Sequence, residues 1–104
     1  MPIKFRIEIT RSAQRDVEEI FTYIAADSPT HAAAFISQLE RQVSTLEQFP
    51  ERCPLIPENE ILGSRYRHLI YKHYRTIFRI SKQTIYILRI IHGARLLDTS
   101  MFEA

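Results

Sequence analysis

The chain has 104 residues, one domain's worth, of which 45% are apolar and 25% charged; these proportions exclude a disordered chain, a collagen-like repeat and a coiled coil. The formal net charge of +2 is unevenly divided: residues 1–60 hold six Lys or Arg against ten Asp or Glu, and residues 61–104 hold eight against two. No run approaches the ~20 consecutive apolar residues that span a bilayer, the alternating start MPIKFRIEIT lacks a signal peptide's apolar core, and Cys53 stands alone, so no internal disulfide is expected and a reduced, cytoplasmic setting without a membrane is.

Ile3, Phe5, Ile7 and Ile9 alternate with polar residues and predict a half-buried strand. Ser12 offers an N-cap, and Ala13, Val17, Ile20, Phe21 and Ile24 follow at helical spacing, predicting a first helix over 12–26. Asp16, Glu18 and Glu19 fall near its start, where the helix dipole favours negative charge. Ser28-Pro29 reads as the N-cap and first position of a second helix. Its apolar face runs through Ala32, Phe35, Ile36, Leu39, Val43 and Leu46, and it stops before Pro50. The short link between the helices makes them an antiparallel hairpin.

Residues 50–64 carry three prolines and a glycine and predict an extended, mobile loop. Tyr66–Tyr71, Tyr74–Ile80 and Thr84–Ile91 are rich in β-branched and aromatic residues, and tight connections separate them. They predict an antiparallel three-stranded meander whose last strand, apolar on both faces apart from Arg89 and Tyr86, is central. The expected architecture is a single domain, 1–104, of α+β class: a two-layer β-α-α-β-β-β unit with the helical hairpin packed on a mainly antiparallel sheet.

The chemistry suggested by the residues is anion recognition. Between Arg65 and Arg95 there is no acid, and eleven of the chain's fourteen cations are Arg, whose planar fork suits carboxylates and phosphates. Alternation puts Arg75, Ile77 and Arg79 on one face of the middle strand, away from the helices, and Tyr74, Thr76, Phe78 and Ile80 on the core face. Arg65, Arg67, Lys72, Arg75, Arg79 and Arg95 are the candidate anion- or target-binding residues, with Tyr66, Tyr71 and Tyr86 nearby. Arg89 interrupts an apolar strand and is expected to pair with a carboxylate or carbonyl. His92 stands beside arginines at a strand end, where an imidazole can exchange a proton near neutral pH or simply fix the turn. The four histidines lack a zinc-like spacing, so no metal site is expected. Arg52 beside Cys53 could lower the thiol pKa, but a lone loop cysteine is ordinarily incidental.

Four segments together resemble a known superfamily: S-A-x-R-D-V-x-x-I-x-x-Y-I at 12–24, F-P at 49–50, R-Y-R with Y-R-x-I-F-R-I between 65 and 80, and I-L-R-I-I-H-G-A-R at 87–95. The resemblance is to the RelE/ParE toxins of type II toxin–antitoxin pairs, often called plasmid-stabilisation proteins, and it spans nearly the whole chain in the same order of elements. It implies a cytoplasmic, growth-inhibiting toxin without cofactor or metal, wrapped by a cognate antitoxin in a hetero-oligomer. It also implies one of two targets. ParE-like members poison DNA gyrase and are not known as nucleases; RelE-like members cut messenger RNA on the ribosome.

Carried over residue by residue, the RelE pattern is filled at Arg67, Arg75 and Arg95. Leu69 replaces a second basic residue on the first meander strand, and Phe102 replaces a tail tyrosine. A phenylalanine cannot relay a proton, and such help is worth ~10²–10⁴ in rate. The ending I-H-G-A-R is closer to the ParE branch. The resemblance therefore implies a gyrase poison rather than an enzyme. The alternative is a metal-independent, ribosome-dependent endoribonuclease, with Arg75 and Arg95 holding phosphate and His92 moving the proton; His68 and His73 are further imidazoles for that role.

Overall fold

The computed structural model describes residues 3–98. A strand at Arg6–Ile9 (β1) is followed by helices at Arg11–Ala25 (α1) and Pro29–Ser44 (α2), a four-residue helix at Asn59–Leu62 (α3), and strands at Arg67–Tyr71 (β2), Tyr74–Ser81 (β3) and Thr84–His92 (β4). The sheet order is β1-β4-β3-β2. β1 runs parallel to β4 from Arg6↔Thr84 to Ile9↔Ile87, and the other two pairings are antiparallel hairpins. The fold is α+β, as the periodicities predict, and β4 lies between two strands.

The first helix begins differently from its sequence reading. Its N-cap is Thr10, not Ser12: the Thr10 hydroxyl accepts from Ala13 N–H at 3.2 Å. The same hydroxyl lies 2.7 Å from the Ile87 carbonyl and 3.1 Å from that of Leu88, to which it donates. One side chain thus ends β1, starts α1 and ties both to the central strand. Leu88 is skipped in the β3–β4 ladder, where Ile77 pairs Arg89 and Phe78 pairs Ile87, so Thr10 is anchored at a bulge. The second helix is capped as expected by Ser28, whose hydroxyl accepts from His31 N–H at 3.2 Å, with Pro29 at the first position. It gives way to a 3₁₀ turn at Thr45–Glu47, before Phe49 takes a left-handed conformation (φ 51°) and Pro50 is buried.

The main core lies between hairpin and sheet. Ala13, Ile20, Leu39, Val43 and Leu46 from the helical side meet Phe78, Ile85, Ile87 and Ile90, and the Phe35 ring packs 5.6 Å from those of Tyr71 and Tyr74. A second, smaller core covers part of the opposite sheet face, where Ile77 and Ile91 pack with Ile56 and Leu97, flanked by Leu62 and Tyr66. This corrects the extended loop expected at 50–64. The segment forms a 3₁₀ turn at Pro50–Arg52 and the helix α3, and Leu55 bridges Arg67 at the sheet edge. The Asn59 side chain donates to the Tyr66 carbonyl at 2.9 Å and accepts from Tyr66 N–H at 2.9 Å and the Ser64 hydroxyl at 2.7 Å. Ile77 and Ile91 on the far face supply the apolar surface that pulls the segment in.

Asp16 has a role beyond the helix dipole. Past Ile9, β1 leaves the sheet and the edge of β4 is open there. Asp16, on α1, fills the gap: Oδ2 accepts from Ile90 N–H at 2.8 Å and from Arg89 Nε at 2.7 Å, and Oδ1 accepts from Arg89 Nη2 at 2.8 Å. Hydrogen bonding by Asp16 raises the Arg89 pKa against the opposing effect of burial. Removing one partner of such a desolvated pair is costly. Asp16→Ala is therefore expected to lower the unfolding free energy by about 3 kcal/mol, and loss of the Thr10 cap in Thr10→Ala by about 1 kcal/mol. Urea denaturation checks both; equal, small losses would contradict the bridging role of Asp16.

Candidate functional site

A cleft of about 380 Å³ opens where β2, β3 and the end of β4 come together. His68 and Ile70 reach it from β2, Lys72 and His73 from the β2–β3 turn, Arg75 from β3, and His92 from the last position of β4. Pro57, Glu58, Ala94 and Leu96 complete its walls. Lys72 occupies the tight turn with φ 53°. Gly93 follows β4, where its N–H donates to the His73 carbonyl at 2.7 Å and holds the turn against the strand end.

The floor of the cleft is an ion pair. Arg75 is only 4% exposed and Glu58 6%. Arg75 Nη1 donates to Glu58 Oε1 at 3.1 Å, and Nη2 donates to Oε2 and, at 2.8 Å, to the Arg95 carbonyl. Glu58 Oε2 also accepts from Leu97 N–H at 3.0 Å. One carboxylate–guanidinium pair thereby joins the segment before α3, the strand β3 and the chain after β4. The Arg75 hydrogen bonds hold the Glu58 carboxyl down at about 2, outweighing the opposite effect of burial, and the Leu97 N–H assists. His68 Nδ1 lies 3.4 Å from Arg75 Nη1. Burial first and the Arg75 charge second lower the His68 pKa, against a smaller pull from Glu58, so its ring is neutral at neutral pH and Nδ1 is available as an acceptor.

The remaining candidates divide. His92 is exposed; its ring lies parallel to that of His73 (10°, 6.1 Å between centroids) and edge-on to Tyr74 at 5.7 Å. His92 Nδ1 is 3.3 Å from Ala94 N–H and accepts from it, so Nε2 carries the proton of the neutral ring. Lys72 is exposed, with its ammonium 5.9 Å from the Tyr71 ring. Arg79 is exposed and stacks over Tyr86 at 4.2 Å. Arg65 and Arg95 are exposed at the margins of the meander. Arg67 pairs with Phe78 and so shares the helix-side face. Its guanidinium donates to the Cys53 carbonyl at 2.6 Å and the Glu51 carbonyl at 3.2 Å.

The cleft thus brings Lys72, Arg75 and His92 together and adds His68 and His73. It does not gather Arg65, Arg67 or Arg79, and Arg95 reaches it through a backbone carbonyl bonded to Arg75. Cys53 is buried, and burial raises its pKa against the opposing charges of Arg52 and Arg67; the lowering that Arg52 alone suggests does not prevail. No group of His, Cys, Asp and Glu side chains among the described residues is arranged to hold a metal. Glu58 is the residue that sequence reasoning missed. Its signal was its place as one of the last acids before the basic run, next to a proline in a segment read as loop.

Because the Glu58 pKa in the folded chain lies below its ordinary 4.5, its stabilising contribution is complete above 4.5 and is lost as pH falls from 4.5 toward 2. That contribution is about 3 kcal/mol. Glu58→Gln is expected to cost about 3 kcal/mol at pH 7 and to flatten the fall in stability over that window. Urea midpoints at pH 7, 4.5 and 3 read both effects; parallel pH profiles for the two proteins would contradict the assignment.

With this geometry, known proteins can be compared. The family described as ParE toxin of type II toxin-antitoxin system, parDE, matches residues 7–97. Among solved structures, the chain superposes with a TM-score of 0.70 on a chain of the chromosomal ParDE system from P. aeruginosa, at 25% identity, covering 86% of this chain and 96% of that one. A chain of the toxin–antitoxin complex RelBE2 from Mycobacterium tuberculosis gives a TM-score of 0.59 at 25% identity, covering 89% and 95%. No curated protein matches. The match over residues 7–97, with the shared strand–hairpin–meander fold, places the chain in the ParE toxin family of type II toxin–antitoxin systems.

Proposed function

We propose that the chain inhibits growth by holding DNA gyrase in its cleaved-DNA state, and that a cognate antitoxin neutralises it in a hetero-oligomeric complex in the cytoplasm. The observation that carries this reading is the state of Arg75. A ribonuclease built on the RelE pattern needs that mid-strand guanidinium for phosphate. Here it is buried, and both terminal nitrogens are committed to Glu58. Of the candidate target-binding cations, Arg65, Lys72, Arg79 and Arg95 remain exposed and without carboxylate partners among the described residues. Such a surface grips an anionic partner without making or breaking a bond, which suits a poison that stabilises another enzyme's complex with DNA. No described helix is long and apolar enough to cross a membrane.

A second reading, the ribosome-dependent endoribonuclease, draws support from the cleft. Three imidazoles and an ammonium line one space, and a positioned imidazole is the side chain that most often serves as general acid or base.

Purified protein incubated with gyrase, ATP and supercoiled plasmid is expected to accumulate linear DNA at micromolar concentration. The combined change Arg65→Ala, Arg79→Ala and Arg95→Ala should raise the required concentration about tenfold. Unchanged supercoiling and no cleaved DNA would overturn the gyrase reading. Toeprinting on translating ribosomes runs beside it: intact message is expected, and new 5′ ends that vanish in His92→Ala would establish the second reading instead.

A further inference from the structure

The cleft between β2, β3 and the end of β4 has apolar walls for which recognition of a phosphate has no use. Ile70 is 62% exposed and Leu96 74%, and both line the cleft. Ile70 stands directly across the β2–β3 ladder from Arg75, so it shares the face of Ile77 and the smaller core. That core buries Ile56, Ile77, Ile91 and Leu97 and takes in neither Ile70 nor Leu96. Two large aliphatic side chains on one concave surface, left out of the core beside them, mark a place where another molecule is met.

The ion pair on the floor holds Leu96 from both sides. The Arg95 carbonyl before it accepts from Arg75 Nη2 at 2.8 Å, and the Leu97 N–H after it donates to Glu58 Oε2 at 3.0 Å. Both aliphatics are therefore set against one buried pair, and covering them requires little further ordering of the chain. The surroundings are cationic. Lys72, two residues past Ile70, and Arg95, next to Leu96, are exposed and have no carboxylate partner among the described residues. Glu58 is the one acid lining the cleft among the described residues, and both its oxygens are engaged. With Nδ1 accepting from Ala94 N–H, His92 Nε2 is a donor.

We propose that the cleft receives one large apolar side chain, of phenylalanine or leucine size, from an acidic segment of the target protein, whose carboxylates meet Lys72, Arg95 and His92 Nε2. The inference rests on the reading that exposed cations grip a protein target, and it adds the apolar contact which that reading lacks. A space of about 380 Å³ lies near the lower end of the ~300–1,000 Å³ of ligand pockets, which suits a single anchor. Seated between Ile70 and Leu96, the anchor removes both from water and dries the ground on which the charges meet. A central apolar anchor then carries the affinity, and the charges around it choose the partner.

The test titrates three short capped peptides into the methyl-labelled full chain: phenylalanine flanked by aspartates, alanine flanked by aspartates, and phenylalanine flanked by lysines. The first is expected to shift the Ile70 and Leu96 methyl resonances. It should bind about tenfold more tightly than the alanine peptide and about fivefold more tightly than the lysine peptide, the charge preference shrinking as salt rises. In Lys72→Glu with Arg95→Glu the charge preference should reverse while the preference for phenylalanine stays. Equal affinity of the phenylalanine and alanine peptides, or of the acidic and basic ones, would overturn the proposal. So would an oligoribonucleotide that moves the same resonances further at equal concentration, or their movement with protein concentration alone, as a second copy would cause. Gyrase takes no part in these readouts, so a failed titration and a failed gyrase assay are separate results.

Discussion

A guanidinium on an interior strand has to be neutralised where it lies, because an unpaired charge removed from water costs several kcal/mol. The sheet carries two of them, Arg89 on β4 and Arg75 on β3, and each is met by a bidentate carboxylate from the first sixty residues, Asp16 and Glu58. The imbalance between the two halves of the chain is partly resolved inside the molecule. Each acid also accepts a backbone N–H, from Ile90 or Leu97. Asp16 thereby docks the helical hairpin on the central strand, and Glu58 docks both the segment before α3 and the chain after β4. The apolar cores drive these elements together, and the pairs fix where they meet.

That internal matching shapes the functional surface. With Arg75 and Arg89 held by acids, and Arg67 spent on carbonyls at the helix-side face, the meander does not present a single row of arginines. It presents Arg65, Lys72, Arg79 and Arg95 as separate exposed cations, of which Lys72 alone lines the cleft that holds three histidines. A spread cationic surface suits recognition of a large anionic partner better than it suits the tight, converging grip on one phosphate that cleavage requires. Membership of the ParE toxin family agrees with that distinction without deciding it.

Local features were legible in the sequence. The alternation of Ile7 and Ile9 with charged residues, the apolar spacing of α1 and α2, and Ser28-Pro29 all reported what their own neighbourhoods do. The order strand, hairpin, meander followed, as did the expectation that Arg89 pairs with a carboxylate or carbonyl, which Asp16 meets. What escaped was nonlocal. Asp16 and Arg89 are 73 residues apart and Glu58 and Arg75 are 17 apart, and no periodicity links residues across such distances. Thr10 displaced Ser12 as the cap because its hydroxyl also reaches β4, a contact that only the folded sheet provides. The proline-rich stretch at 50–64 read as loose chain because prolines forbid regular structure there. Its packing is driven by Ile77, which the alternation of β3 already set on the far face, and by Ile91, which the bulge at Leu88 turns away from the face of Ile85 and Ile87.

A double-mutant cycle of Glu58→Gln and Arg75→Met, followed by urea denaturation at pH 7, tests most directly whether internal acids neutralise the basic sheet. The pairing described here predicts a coupling of about 2–3 kcal/mol, with the double variant much less destabilised than the two single changes added together. Coupling below about 0.5 kcal/mol, the additive result expected of independent sites, would contradict it.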